Sequence, residues 1–316
     1  MQTEKSPIST EVEAAAVSRA SDEAWTAIQG AYDLHVHVAP DVIGRRIDDL
    51  DLAKEFLAHG LKGFLLKSHY FPTAERAKVV SKAVPGIQAL GALTLNHSVG
   101  GINPVAVELA GRSGCKLVWM PTVDAANETA GLPTGRDAKL PFWALIQREI
   151  AALGISPPPL TVLDDRGNVS EPARICLGLI AKYDMILATG HLGRHEIFAL
   201  VKAAMEQKVR KIVVTHAEFP SQNLAPEEQV ELCQMGAVIE HCFTTMYSGK
   251  ASWDTVIRNI RATGPAQCLL STDLGQTINP PVSEGLALFA QQMLDAGFSV
   301  SEVRRMSVTN PGSLVG

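Results

Sequence analysis

The chain has 316 residues, 46% hydrophobic and 19% charged, which suits one large globular domain or two small ones with ample material for a core. Its net charge is −5, its pI is near 6.0, and no Lys/Arg block occurs, so nucleic acid and anionic membrane are not expected partners. No apolar run approaches the roughly 18 residues that span a bilayer.

Residues 1–9 read as a polar tail without the charged-then-apolar layout of a secretory signal. The five cysteines (Cys115, Cys176, Cys233, Cys242 and Cys268) are scattered and form no CxxC pair. Reduced, buried thiols in a cytoplasmic protein are therefore expected, not a zinc–thiolate site. Thr10-Glu11-Val12-Glu13 has the Ser/Thr-x-x-Glu capping form, which predicts an alanine-rich helix to about Gln29. Residues 1–29 are thus expected as tail and helix ahead of a domain over 30–316.

Next comes Tyr32-Asp33-Leu34-His35-Val36-His37-Val38-Ala39-Pro40, a short apolar strand ending at a proline. Side chains two apart on a strand share a face, so His35 and His37 present two imidazoles together, half of a metal site. The plainer reading is two polar residues on a half-exposed edge strand. After a loop to Arg46, residues 47–59 are helical in pattern, with Gly60 as the stop.

From there strands and helices alternate. Strands are predicted over 61–70, 87–96, 115–123, 185–191, 212–219, 237–243 and 268–274. Helices are predicted over 73–84, 104–112, 171–183, 196–207, 226–235, 253–262 and 283–296, with a last one near 301–306. Residues 124–165 interrupt this rhythm with a polar loop, a helix over 142–153, and Pro157-Pro158-Pro159. They read as an insertion after strand 4, either a wall over the mouth or a packing elaboration. Eight short, continuously apolar strands alternating with helices argue for an α/β fold, the (β/α)8 TIM barrel. A doubly wound sheet is the alternative, but its Gly-rich first-turn fingerprint is missing.

In such barrels chemistry sits at the C-terminal strand ends. Those ends carry His35 and His37 on strand 1, Lys67 and His69 on strand 2, His191 on strand 5, His216 on strand 6 and Asp273 on strand 8. A lone histidine after an apolar strand is more often a packing residue than a ligand. Five of these positions, His35, His37, His191, His216 and Asp273, on four strands and all facing one mouth, are a different matter.

With these residues the chain resembles the amidohydrolase superfamily of metal-dependent hydrolases over residues 30–310. It matches the HxH of strand 1, the histidines ending strands 5 and 6, and the aspartate ending strand 8. The segments Leu66-Lys67-Ser68-His69 and Ala188-Thr189-Gly190-His191-Leu192 resemble an uncharacterised hydrolase-like branch of it. The resemblance implies that His35, His37 and Asp273 bind a divalent metal, zinc by expectation. His191 and His216 then bind a second ion, or one of them completes a mononuclear site and the other polarises the substrate. Asp273 is also implied as the proton carrier from the attacking water to the leaving group.

One departure concerns strand 4, where many binuclear relatives carry a carboxylated lysine or a glutamate. Trp119-Met120-Pro121-Thr122-Val123-Asp124 offers neither, and Lys67 on strand 2 is the substitute. An unmodified ammonium cannot donate to a metal, whereas a carbamate of Lys67 would be an anionic bridge. Lys67 could instead grip a substrate carboxylate or pair with a buried acid such as Asp273. Candidate substrate contacts are Arg45, Arg46 and Arg194, which could clamp a carboxylate, together with His69, Asn96, Trp119 and Glu240.

The function these readings imply is metal-dependent hydrolysis of a C–N bond (amide, cyclic amide or imide) or a lactone in a small molecule, carboxylate-bearing or aromatic, by metal-activated hydroxide. Alternatives are a mononuclear decarboxylase or C–C hydrolase, a PHP-type phosphoesterase, and a catalytically silent barrel. Self-association is common in barrels of this size.

Overall fold

In a computed structural model, which describes residues 19–132 and 140–316, eight strands pair in sequence order and every pairing is parallel. They are β1 (Tyr32–Val36), β2 (Gly63–Leu66), β3 (Gln88–Thr94), β4 (Leu117–Trp119), β5 (Ile186–Ala188), β6 (Ile212–Val214), β7 (Val238–Cys242) and β8 (Cys268–Ser271). The helices are α1 (Asp22–Ala27), α2 (Asp49–Ala58), α3 (Ala74–Ala83), α4 (Pro104–Arg112), α5 (Ala126–Ala130), α6 (Phe142–Ala152), α7 (Glu171–Lys182), α8 (Arg194–Glu206), α9 (Pro226–Gln234), α10 (Phe243–Tyr247), α11 (Trp253–Thr263), α12 (Val282–Asp295), α13 (Val300–Arg304) and α14 (Asn310–Val315). Among the described residues, no helix is long and apolar enough to cross a membrane.

The sheet closes on itself through a parallel bridge between Val36 and Leu274, with His37 N–H donating to Leu274 O (2.8 Å) and Asp273 N–H to His35 O (2.8 Å). Lower on this seam, buried Asp33 stands in for the missing ladder. Its Oδ1 accepts from Thr272 N–H (3.1 Å) and His35 N–H (3.2 Å), and its Oδ2 from the Thr272 hydroxyl (2.6 Å). Desolvation pushes the Asp33 carboxyl up to about 7 against those hydrogen bonds.

Alternation divides the core. Tyr32, Leu34, Leu65, Leu117, Trp119, Ile186, Val213 and Leu269 fill the barrel interior, which Leu314 and Val315 of α14 join. The opposite strand faces pack against the surrounding helices in two apolar clusters. The result is the expected (β/α)8 barrel.

The differences from expectation lie at element ends. Every strand after β1 stops short of its predicted C-terminal end, and at the ends of β3 to β6 polar side chains take over part of the ladder. Thr215 N–H donates to Thr189 Oγ1 (3.0 Å), Gly190 N–H to Thr215 Oγ1 (3.1 Å), and Thr122 N–H to Asn96 Oδ1 (2.9 Å). At the N-terminal side, α1 starts at Asp22, where the Ser21 Oγ accepts from Ala24 N–H (3.2 Å). The predicted capping box at Thr10 lies outside the described residues, and 19–21 are not helical. The single C-terminal helix expected near 301–306 is instead α13, a π-helical turn over Arg305–Thr309, and α14.

Candidate metal centre

The strand ends bring His35, His37, Lys67, His191, His216 and Asp273 together in one buried cup. Asp273 Oδ1 lies 3.1 Å from His35 Nε2 and 3.2 Å from His37 Nε2. Lys67 Nζ is 2.7 Å from His35 Nε2. The ring centroids of His35 and His216 are 6.1 Å apart, and those of His191 and His216 4.9 Å. His69 closes the circle, 4.9 Å from His37 and 6.0 Å from His191.

The backbone is bent to achieve this. His216 (φ 28°) and Asp273 (φ 52°) adopt the left-handed region, which is costly for residues with a side chain and recurs at functional sites. Gly190 (φ 63°) precedes His191, and a Cβ there would run into the carbonyls of Met120 and Pro121. Gly275 (φ 139°) lies against the His37 carbonyl, where a Cβ would likewise collide.

Carboxylates back two of the imidazoles. Glu240 Oε2 is 3.1 Å from His35 Nδ1, and Glu128 Oε2 is 3.4 Å from His191 Nδ1 while it accepts from the Ser221 hydroxyl (2.7 Å). His37 Nδ1 instead meets Arg45 Nη2 at 3.2 Å, and Arg45 is paired with Asp41 (2.6 Å). Burial drives His37, His69 and His216 well below the ordinary histidine range, with Arg45, Lys67 and His191 respectively pushing the same way. Burial also lowers His191, against Glu128. His35 ends up raised, because Asp273 and Glu240 outweigh burial and Lys67. Burial lowers Lys67, while Asp273 stays well below the carboxylate range because His35, His37 and Lys67 overcome its desolvation.

The donor set fits a divalent cation. One ligand atom each from His35, His37 and Asp273 lies within 4.8 Å of the others, and nitrogen with carboxylate oxygen is the donor chemistry zinc and its neighbours take. One ligand atom each from His35, Glu240 and Cys242 likewise lies within 4.8 Å of the others. The buried Nδ1 atoms of His191 and His216 have no hydrogen-bond partner among the described residues, which leaves both nitrogens unsatisfied.

The other predicted contacts have different surroundings. Trp119 is buried beneath the cup, 5.4 Å from His35 and 5.0 Å from Lys67 Nζ. Glu240 stands against His35, with Oε2 3.1 Å from Nδ1. Asn96 binds the His69 carbonyl (2.9 Å) and Thr122 Oγ1 (2.7 Å), and Thr122 Oγ1 in turn meets His69 Nδ1 (2.9 Å). Arg46 donates to the carbonyls of Thr277 (3.1 Å) and Asn279 (2.8 Å), clasping the loops after β1 and β8. Arg194 pairs with Glu228 (2.8 Å) on the exposed start of α8, so neither arginine points into the cup. Glu128, which the sequence reading missed, comes from α5 in the segment after β4. It had no sequence signal, since its contact depends on how that segment folds back over β5.

The fold and the cup define a class: closed (β/α)8 barrels whose mouth is lined with histidines and carboxylates. Within that class, the family description that fits, over residues 30–240, is that of a family of unknown function, DUF6282, and the chain belongs to that family. The match ends before β8 and Asp273. No curated protein matches the chain. Among solved structures, the probable dipeptidase PvdM from Pseudomonas aeruginosa is similar with a TM-score of 0.60 at 11% identity, covering 93% of this chain and 96% of that one. An amidohydrolase from Pseudomonas aeruginosa gives 0.56 at 10%, covering 92% and 97%. An organophosphorus hydrolase from Deinococcus radiodurans gives 0.53 at 15%, covering 92% and 93%. At these identities the likeness is one of fold.

Proposed function

We propose that this protein is a metal-dependent hydrolase of amidohydrolase type, cleaving a C–N bond (amide, cyclic amide or imide) or a lactone in a small molecule. The observation that carries the reading is the meeting of His35 Nε2 and His37 Nε2 on one oxygen of Asp273, at 3.1 and 3.2 Å. Solved structures of the same fold named dipeptidase, amidohydrolase and organophosphorus hydrolase support it. His35, His37 and Asp273 would hold one cation, and His191 and His216 a second. When bound, a divalent cation, zinc by preference, makes hydroxide available at neutral pH and polarises a carbonyl oxygen.

The chain's own residues supply the rest. Asp273, kept ionised by its neighbours, takes the proton of the attacking water and returns it to the leaving nitrogen or oxygen. Glu240 holds the ring of His35 in orientation, and Glu128 places its charge 3.4 Å from His191 Nδ1. Lys67 is buried and has no carboxylate within ion-pair distance among the described residues. A buried amine of this kind is costly to keep charged, which favours its carbamate as the anionic bridge.

Metal analysis of protein purified without chelator, and a panel of amides, imides and lactones, test the proposal together. Asp273→Asn is expected to lower turnover by about a hundredfold or more while the protein keeps its fold and much of its metal. His191→Ala is expected to lose metal and activity together. Full turnover in Asp273→Asn would overturn the proton-carrier role, and a barrel that takes up no metal would overturn the whole reading.

A further inference from the structure

Lys250 is the cation at the mouth that neither the fold nor the metal centre uses. It follows α10, the short helix that begins directly at the end of β7, and so belongs to a loop on the face where the cup opens. The turn that presents it is fixed. Gly249 adopts φ 70°, its N–H donates to Met246 O (2.9 Å), and Lys250 N–H donates to Thr245 O (2.9 Å). The Lys250 ammonium lies over the face of Phe219, 4.2 Å from the ring centroid. Phe219 in turn stands 4.9 Å from His216 and 6.2 Å from His191. One aromatic ring therefore separates the charge from the imidazoles.

A lysine at a helix C-terminus is ordinarily a solvated charge facing the dipole. This one is exposed at the rim and has no ion-pair partner among the described residues, and its ammonium is directed onto a ring that borders the cup. Its pKa is lowered by desolvation and held up in part by Asp273 and Glu128, so the charge lies within the field of the site's carboxylates. The other basic side chains near the mouth are already engaged: Arg45 by Asp41, Arg46 by backbone carbonyls, Arg194 by Glu228.

We infer that Lys250 is a specificity-determining residue that binds a carboxylate of the substrate, with Phe219 as the apolar wall between that carboxylate and the bond to be cleaved. The inference rests on the hydrolase reading for the position of the scissile bond. A single ammonium on a flexible stem suits a carboxylate monoanion, whereas a phosphate dianion calls for further donors that the rim does not offer.

Two probes that differ only by a carboxylate test it, benzamide and 4-carbamoylbenzoate, titrated calorimetrically into the metal-loaded protein. The wild type is expected to prefer 4-carbamoylbenzoate by about tenfold, the scale of a partly desolvated charge pair. Lys250→Met should abolish that preference, and Lys250→Arg should retain most of it, which separates charge recognition from loss of packing on Phe219. Equal affinity for the two probes in the wild type, undetectable binding of both included, overturns the inference, as does a preference that survives Lys250→Met. The hydrolase reading fails separately, if the wild type cleaves no amide, imide or lactone while the probe preference stands.

Discussion

Lys67 is where the chemistry of the cup can be decided by a single side chain. Its amine meets His35 Nε2 at 2.7 Å in a fully buried setting. As a carbamate it would give the cup one more negative charge spread over two oxygens; as a free amine it would leave His35, His37, His191, His216 and Asp273 to carry the site. Lys67→Ala is therefore expected to lose activity, and acetate or propionate in the medium is expected to restore part of it by filling the vacated volume with a carboxylate. Turnover measured against added acid checks this, and absence of rescue would favour a Lys67 that grips substrate. The residues of this scale that were legible in the sequence are those whose position follows from local spacing: His35 and His37 two apart on one strand, His191, His216 and Asp273 each closing an apolar run. Glu128 and Lys250 were not legible. Glu128 lies on the short helix α5 and Lys250 on the loop after α10, segments whose paths are set by tertiary packing, and neither lies in a recognisable spacing.

At the scale of the element, the β1–β8 seam is the place where the barrel is least regular. Its upper part is closed by Val36 and Leu274, and its lower part by the Asp33 carboxylate with Thr272. Asp33→Ala would leave the N–H groups of Thr272 and His35 and the Thr272 hydroxyl without their buried acceptor. A loss of about 2–4 kcal/mol is expected, read as a lower midpoint in denaturant unfolding. Asp33→Asn keeps an acceptor oxygen for the two N–H groups and should cost less than half as much; an Asp33→Ala midpoint unchanged from the wild type would show that the seam does not depend on this side chain. The seam was invisible in the sequence, where Asp33 is one polar residue in an apolar run. The strands themselves were visible, since continuous apolar runs are what a doubly covered parallel sheet requires. Their ends were not, because Asn96, Thr189 and Thr215 continue the extended pattern while replacing ladder hydrogen bonds with side-chain ones.

The whole molecule carries a second buried charged group on the outer side of the barrel, away from the cup. His241 on β7 places Nδ1 3.0 Å from Glu218 Oε1, which also accepts from Asn259 of α11 (2.9 Å) and Gln229 of α9 (3.1 Å), and its Nε2 lies 3.4 Å from Cys268 Sγ of β8. Two strands, two helices and the loop after β6 are thus tied to one buried ion pair. Burial works against a charged His241, but Glu218 and Cys268 outweigh it and raise the imidazole to about 10. A folded-state value above the unfolded one means that the folded chain holds the proton more tightly. The stabilisation is therefore fully present below about pH 6.5, the unfolded histidine value, and is lost as pH rises through 10. Glu218, held below its ordinary value by His241 and its amide donors in spite of burial, imposes the opposite limit, and its share is lost on acidification. Stability measured by denaturant unfolding should accordingly fall between pH 7 and 10 in the wild type. His241→Gln removes the proton-binding ring, so it should be less stable than the wild type near pH 6 and converge on it towards pH 10. Parallel stability curves for the two proteins across that range would mean that the pair does not hold these elements together through its charge.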